Sequence, residues 1–148
     1  MNYADTSALI KRFVAEKGTP LVHIIVSQRG PIATAKIAYA EVYAALARQH
    51  RGGHLSRGQY ILACRQFERE WEAYIRVALS DEVLWLSRDL VQRHPLRGFD
   101  AIHLASALTL SNALEEKITF IAADNRLLHA AEGEGLEALN VERASHLP

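Results

Sequence analysis

Short apolar runs alternate with longer helical stretches along the whole chain, and this alternation restricts the fold more than any other feature. Strand candidates fall at residues 1–4, 32–34, 74–79 and 136–139, and the β-rich run at 118–122 is the clearest. Between them, helical spacing predicts helices over 7–15, 20–28, 38–49, 55–71, 80–94, 99–114 and 126–132. The breaks are chemically marked. Lys17-Gly18-Thr19-Pro20, Gly30-Pro31, Arg51-Gly52-Gly53, Pro95, and Gly133 with Gly135 each interrupt a helical pattern, while Ser56 and Ser80 sit where caps belong. Strands alternating with helices give an α/β fold with a mostly parallel sheet and helices on both faces. The 148 residues fit a single domain, 1–148, and a domain of this size needs neither disulfides nor a structural metal.

In open sheets of this kind, ligands sit beyond the carboxyl ends of the strands. Polar residues at those ends are therefore the ones to examine. Asp5 follows the first strand directly. Asp100 opens the helix at 99–114 and is its only formally charged residue before position 114. Asp124 ends the run 118–123. Glu41 is the only charged residue between Ile37 and Ala47, in a helix that reads as apolar nearly all round and hence buried. Each acid has a structural explanation taken singly. Asp5 suits an N-cap, Asp100 a helix dipole, Asp124 a turn, and Glu41 could reach solvent or a buried Arg. Together they describe four carboxylates converging on one rim. Carboxylates that close repel and resist ionising, and a divalent cation removes the conflict. Hard oxygen donors without a cysteine partner select magnesium or manganese.

The remaining composition excludes more than it suggests. Lys plus Arg and Asp plus Glu number 17 each, so no whole-molecule field attracts nucleic acid and local charge must serve. The single cysteine, Cys64, cannot form an internal bridge and reads as a small buried hydrophobe. No apolar run approaches the ~20 residues that span a bilayer, and the early charges Asp5 and Lys11 are unlike a signal peptide, so a cytoplasmic protein is expected. His50 and His54 flank Gly-Gly and make a poor zinc site. His103, one turn from Asp100, is expected to hydrogen-bond to it in a supporting role.

Four segments give the chain a family resemblance. Asp5-Thr6-Ser7-Ala8-Leu9, then Ala40-Glu41-Val42 with Ala45-Leu46 and Arg48, then Phe99-Asp100-Ala101-Ile102-His103-Leu104-Ala105, then Ala123-Asp124-Asn125-Arg126-Leu127 followed by Ala130-Ala131 and Gly133, resemble in order the motifs of PIN-domain proteins, most closely VapC-type toxins. The resemblance implies a three-layer α/β/α sandwich and endoribonuclease activity dependent on Mg2+ or Mn2+. It further implies a homodimer and a small antitoxin protein as partner. Two departures stand out: the first strand carries Asn2 and Tyr3 in place of an aliphatic run, and Asp124 is the only acid in its segment.

On this reading Asp5, Glu41, Asp100 and Asp124 bind the metal and carry catalysis on an RNA substrate. Thr6 or Ser7 orients Asp5 or touches the scissile phosphate, and Arg48 and Arg97 are possible phosphate contacts beside a plain surface role. Three other readings remain open. They are a phosphohydrolase with Asp5 as nucleophile, a phospho-receiver domain, and a non-catalytic RNA- or protein-binding module on the same fold. The receiver fits poorly because no strand-end Asp and later Lys fall in the places it needs. The stripe Tyr60, Cys64, Phe67 and Trp71 marks the helical hairpin either as internal packing or as the homodimer or inhibitor interface.

Overall fold

The computed structural model describes residues 1–28 and 30–143. Five strands form one sheet: β1 (Asn2–Ala4), β2 (Ile32–Ala35), β3 (Ile75–Val77), β4 (Thr119–Ala122) and β5 (Glu137–Asn140). Their order is β3-β2-β1-β4-β5, and every neighbouring pair is parallel. Seven α-helices accompany them among the described residues: α1 (Thr6–Leu9), α2 (Thr19–Ser27), α3 (Ala38–Arg51), α4 (Arg57–Trp71), α5 (Asp81–Arg93), α6 (Gly98–Leu114) and α7 (Asn125–Gly133).

The pleat sorts the strand residues into two cores. Ala4, Ile32 and Ile121 join the cluster built by α1 to α4, whereas Tyr3, Ala33, Ala35, Phe120 and Ala122 join the one built by α5 to α7. This is a three-layer α/β/α sandwich, with β1 in the middle and its carboxyl end facing the same rim as β2 and β4. Tyr3 explains how a central strand tolerates a polar residue. Its ring is fully buried and stacks on Phe120 at 5.3 Å between centroids, while its hydroxyl finds a partner in His103.

The structure differs from the sequence expectations in several places. The helix expected over 7–15 is only α1 followed by a 3-10 turn at Ile10–Arg12. Leu9, Ile10, Lys11, Phe13 and Val14 are all buried, and one helix stripe cannot bury so continuous a run. The chain turns inward instead, and Thr19 Oγ1 holds the turn by donating to Val14 O. Gly18 is required just beyond it. Its φ is +92°, and a Cβ there would stand 3.0 Å from the Val141 carbonyl oxygen. Lys11 is buried between Glu16 and Glu142, 2.8 Å from each. Burial pushes its pKa down, but the two carboxylates outweigh that and hold it above its ordinary value.

Helix α3 is not buried all round. Only Ala38, Val42 and Leu46 are, and Ala40 and Ala44 face outward, where alanine serves helix propensity rather than packing. The α4 stripe is divided. Phe67 and Trp71 are buried against Tyr39 and Tyr43 of α3, Tyr60 stacks on His50, and Cys64 is half-buried rather than enclosed. Ser56 caps α4 in a full capping box with Gln59. The strand expected over 74–79 shortens to β3, an edge strand whose residues are all partly exposed. No helix among the described residues is long and apolar enough to cross a membrane.

Candidate active site

The four acids reach the carboxyl-end rim by different routes. Asp5 leaves β1 and caps α1, accepting from the Ala8 N–H at 3.0 Å. Ser7 Oγ donates to the same carboxylate at 2.7 Å and 2.9 Å, and itself accepts from the Ala123 N–H at 2.9 Å. One hydroxyl thus ties the exit of β4 to the acid at the exit of β1. Asp5 is only 4% exposed, and burial pushes its pKa up to about 6 despite the His103 ring, Ser7 and Ala8, which pull it down.

Asp124 leaves β4 and caps α7 through the N–H groups of Arg126 (2.8 Å) and Leu127 (3.4 Å), with its side chain at the surface. Asp100 lies in the first turn of α6 and is half-buried. Its pKa is raised, first by burial and then by Asp124, with Glu41 adding to the same direction and His103 and Arg97 opposing it. Glu41, in the first turn of α3, accepts at Oε1 from Thr6 Oγ1 and from His103 Nε2, 2.7 Å each. Burial would raise its pKa, but His103 and Thr6 hold it below the ordinary carboxylate value.

His103 therefore partners Glu41 rather than Asp100, because the α6 backbone turns its ring across the rim toward α3. Its other nitrogen, Nδ1, lies 2.9 Å from the Tyr3 hydroxyl. Thr6 likewise serves Glu41 and not Asp5, while Ser7 holds Asp5. Arg97 is exposed at the N-cap of α6, near enough to act on Asp100. Arg48 is exposed, seven residues beyond Glu41 on α3, so the helix rise sets it back by about 10 Å from the rim. The sequence reading missed the Tyr3–His103–Glu41 connection. Its one visible signal was a tyrosine in a strand that should be aliphatic.

The donor chemistry suits a hard cation: four carboxylates and no thiolate, with Asp5 and Asp100 held back from ionising by burial first and by neighbouring carboxylates second. Among the described residues no group of three or more His, Cys, Asp or Glu side chains is placed to hold a metal ion. A site here would engage one or two carboxylates directly and leave the rest of the shell to water and substrate, as hard cations such as magnesium allow.

A family profile described as PIN domain matches residues 3–133. The chain belongs to the PIN-domain family. Among curated relatives, Ribonuclease VapC49 of Mycobacterium tuberculosis H37Rv is 36% identical over 110 residues, covering 74% of this chain and 76% of its own. Ribonuclease VapC47 of M. tuberculosis CDC 1551 is 30% identical over 139 residues, covering 91% and 93%. Solved structures share the fold at lower identity. One describes FitAB bound to an IR36 DNA fragment, with a TM-score of 0.72 at 14% identity over the full length of both chains. Another is a toxin–antitoxin complex from Klebsiella pneumoniae, with a TM-score of 0.64 at 16% identity, covering 95% of this chain and 98% of that one.

Proposed function

We propose that this PIN-domain protein is an endoribonuclease, the toxin of a toxin–antitoxin pair, with Asp5, Glu41, Asp100 and Asp124 forming a site for Mg2+ or Mn2+. The observation that carries the reading is the rim itself. Four acids from four separate segments lie at the carboxyl-end side of the sheet, and the Asp100 pKa is raised by burial first and then by Asp124 and Glu41. Perturbed carboxylates grouped at a strand-end rim are the mark of a functional site. Relatives named as ribonucleases at 30–36% identity supply the substrate class.

Bound at the rim, the cation would supply charge neutralisation on the phosphate and a more acidic water. The protein's own residues set the stage. Ser7 and the Ala8 N–H fix Asp5, Thr6 and His103 fix Glu41, the Arg126 and Leu127 N–H groups fix Asp124, and Asp100 lies in the first turn of α6. Arg97 is the basic group on hand for a phosphate oxygen. A phosphohydrolase using Asp5 as nucleophile is disfavoured, because that carboxylate is buried and held by Ser7 and Ala8.

The partner we propose is a small antitoxin protein, on the precedent of the toxin–antitoxin assemblies that share the fold. A homodimer is the assembly expected of the toxin alone. The test is RNA cleavage by the purified protein with manganese, with magnesium and with EDTA, beside Asp5→Asn and Asp100→Asn. Cleavage should require the cation and vanish in both variants. Full cleavage by both variants would sink the assignment.

A further inference from the structure

Tyr3, His103, Glu41 and Thr6 form a continuous hydrogen-bonded array over the carboxyl edge of the sheet. It starts in the α5–α7 layer and ends in the α1–α4 layer. Tyr3 is 0% exposed and His103 2%, so both rings are shut off from bulk solvent. The Tyr3 hydroxyl lies 2.9 Å from His103 Nδ1, and His103 Nε2 lies 2.7 Å from Glu41 Oε1. Thr6 Oγ1 donates to the same Oε1 at 2.7 Å and stands 3.2 Å from Nε2.

A carboxylate can only accept, so His103 carries a hydrogen on Nε2 and donates it to Glu41 Oε1. Nδ1 lies within hydrogen-bond reach of the Tyr3 hydroxyl, which braces the ring from the opposite side. Glu41 Oε1 is then saturated by two donors, from His103 and from Thr6. Among the described residues Oε2 accepts no hydrogen bond, so one oxygen is anchored and the other is left for a ligand.

We propose that His103, braced by Tyr3 at Nδ1 and donating from Nε2, is a positioning residue that fixes the Glu41 carboxylate with Oε1 anchored and Oε2 presented to the divalent cation. The inference rests on the metal site of the preceding subsection for its consequence, but the array itself exists without metal. It also accounts for the unusual first strand: Tyr3 is there to hold the ring, not only to fill the core.

Two measurements on the full chain test it. The first is the 15N spectrum of the His103 imidazole in metal-free protein, where a proton on Nε2 is expected. A bare Nε2 overturns the proposal. In Tyr3→Phe, which keeps the buried ring, the Nδ1 resonance should move toward that of an unbonded ring nitrogen, and an unchanged resonance overturns it too. The second is the manganese dissociation constant by calorimetry. His103→Leu, which fills the space without a donor, should weaken binding by about 10–100-fold, and His103→Gln, which restores an N–H near the place of Nε2, should recover most of it. Equal affinity of the wild type and His103→Leu refutes the positioning role, as does equal loss in the Leu and Gln variants. If the Leu variant fails to fold, the Gln variant and the Tyr3→Phe spectrum decide. A wild-type protein that binds no manganese removes the metal reading instead, and the imidazole spectrum then decides this inference alone.

Discussion

Asp5 is where the conflict between folding and function is sharpest. Its carboxyl has an ordinary value of 3.8 and about 6 in the folded protein, with burial as the first cause. The folded state therefore holds this proton more tightly than the unfolded one. The stability this confers is present at low pH and is lost as pH rises from about 4 to about 6; above that the ionised carboxylate costs on the order of 3 kcal/mol. Asp5→Asn removes the charge and keeps an acceptor for Ser7 and the Ala8 N–H. Metal-free, the variant should melt several degrees higher than the wild type at pH 7 and about the same at pH 4, while RNA cleavage collapses. No gain at pH 7 would mean that the burial of Asp5 carries no such penalty. Asp124→Asn should be the mildest of the four substitutions, because Asp124 is exposed and water can replace it; cleavage rates of all four variants check the order.

The acids could be read in the sequence because each broke a local pattern: a charge at a strand end, or one charge in an apolar helix. What they touch could not be read. The Tyr3–His103 pair joins residues 100 apart, and it depends on the placement of α6 against β1, which no local rule supplies. Of the two hydroxyls expected to orient Asp5 or touch a phosphate, Ser7 holds Asp5, while the fold delivers Thr6 to Glu41.

Among the elements, α4 shows how a helix divides its apolar residues between two purposes. Phe67 and Trp71 are spent inside the molecule, and Leu62, 65% exposed, is not. With Ile61 beside it, Leu62 offers an apolar foothold to a partner. Leu62→Glu should abolish copurification of a coexpressed antitoxin while changing the toxin's own melting temperature by less than a degree or two. Retained copurification would place the interface elsewhere. The capping box is the opposite case. Ser56→Ala should cost about 1 kcal/mol in denaturant unfolding and leave cleavage untouched, since Ser56 lies beyond the C-terminal end of α3 whereas Glu41 is in its first turn. Helical spacing revealed α4 to within two residues but misjudged the stretch after Asp5. There Leu9, Ile10, Phe13 and Val14 have helical spacing yet are buried on several sides at once, which only the assembled core dictates.

For the whole molecule, the sheet was legible because crossovers of helix length leave parallel strands as the outcome. Manganese should stabilise this assembly. At about 100 times its dissociation constant it adds roughly 2.7 kcal/mol, several degrees in a domain of this size. Melts with manganese and with EDTA that coincide would count against the rim as a cation site.

The strand order has a consequence of timing. β1 sits between β2 and β4, and Asp5 has its backbone N–H bonded to Ile121 O and its carboxylate held by a hydroxyl that Ala123 secures. While the chain is being synthesised from its amino end, the first acid thus waits for nearly the last strand. A nascent chain carrying Asp5, Glu41 and Asp100 still lacks the wall against which the rim closes. On the proposed reading of the rim, the site is incomplete on the ribosome until most of the chain has emerged, and the delay follows from topology alone.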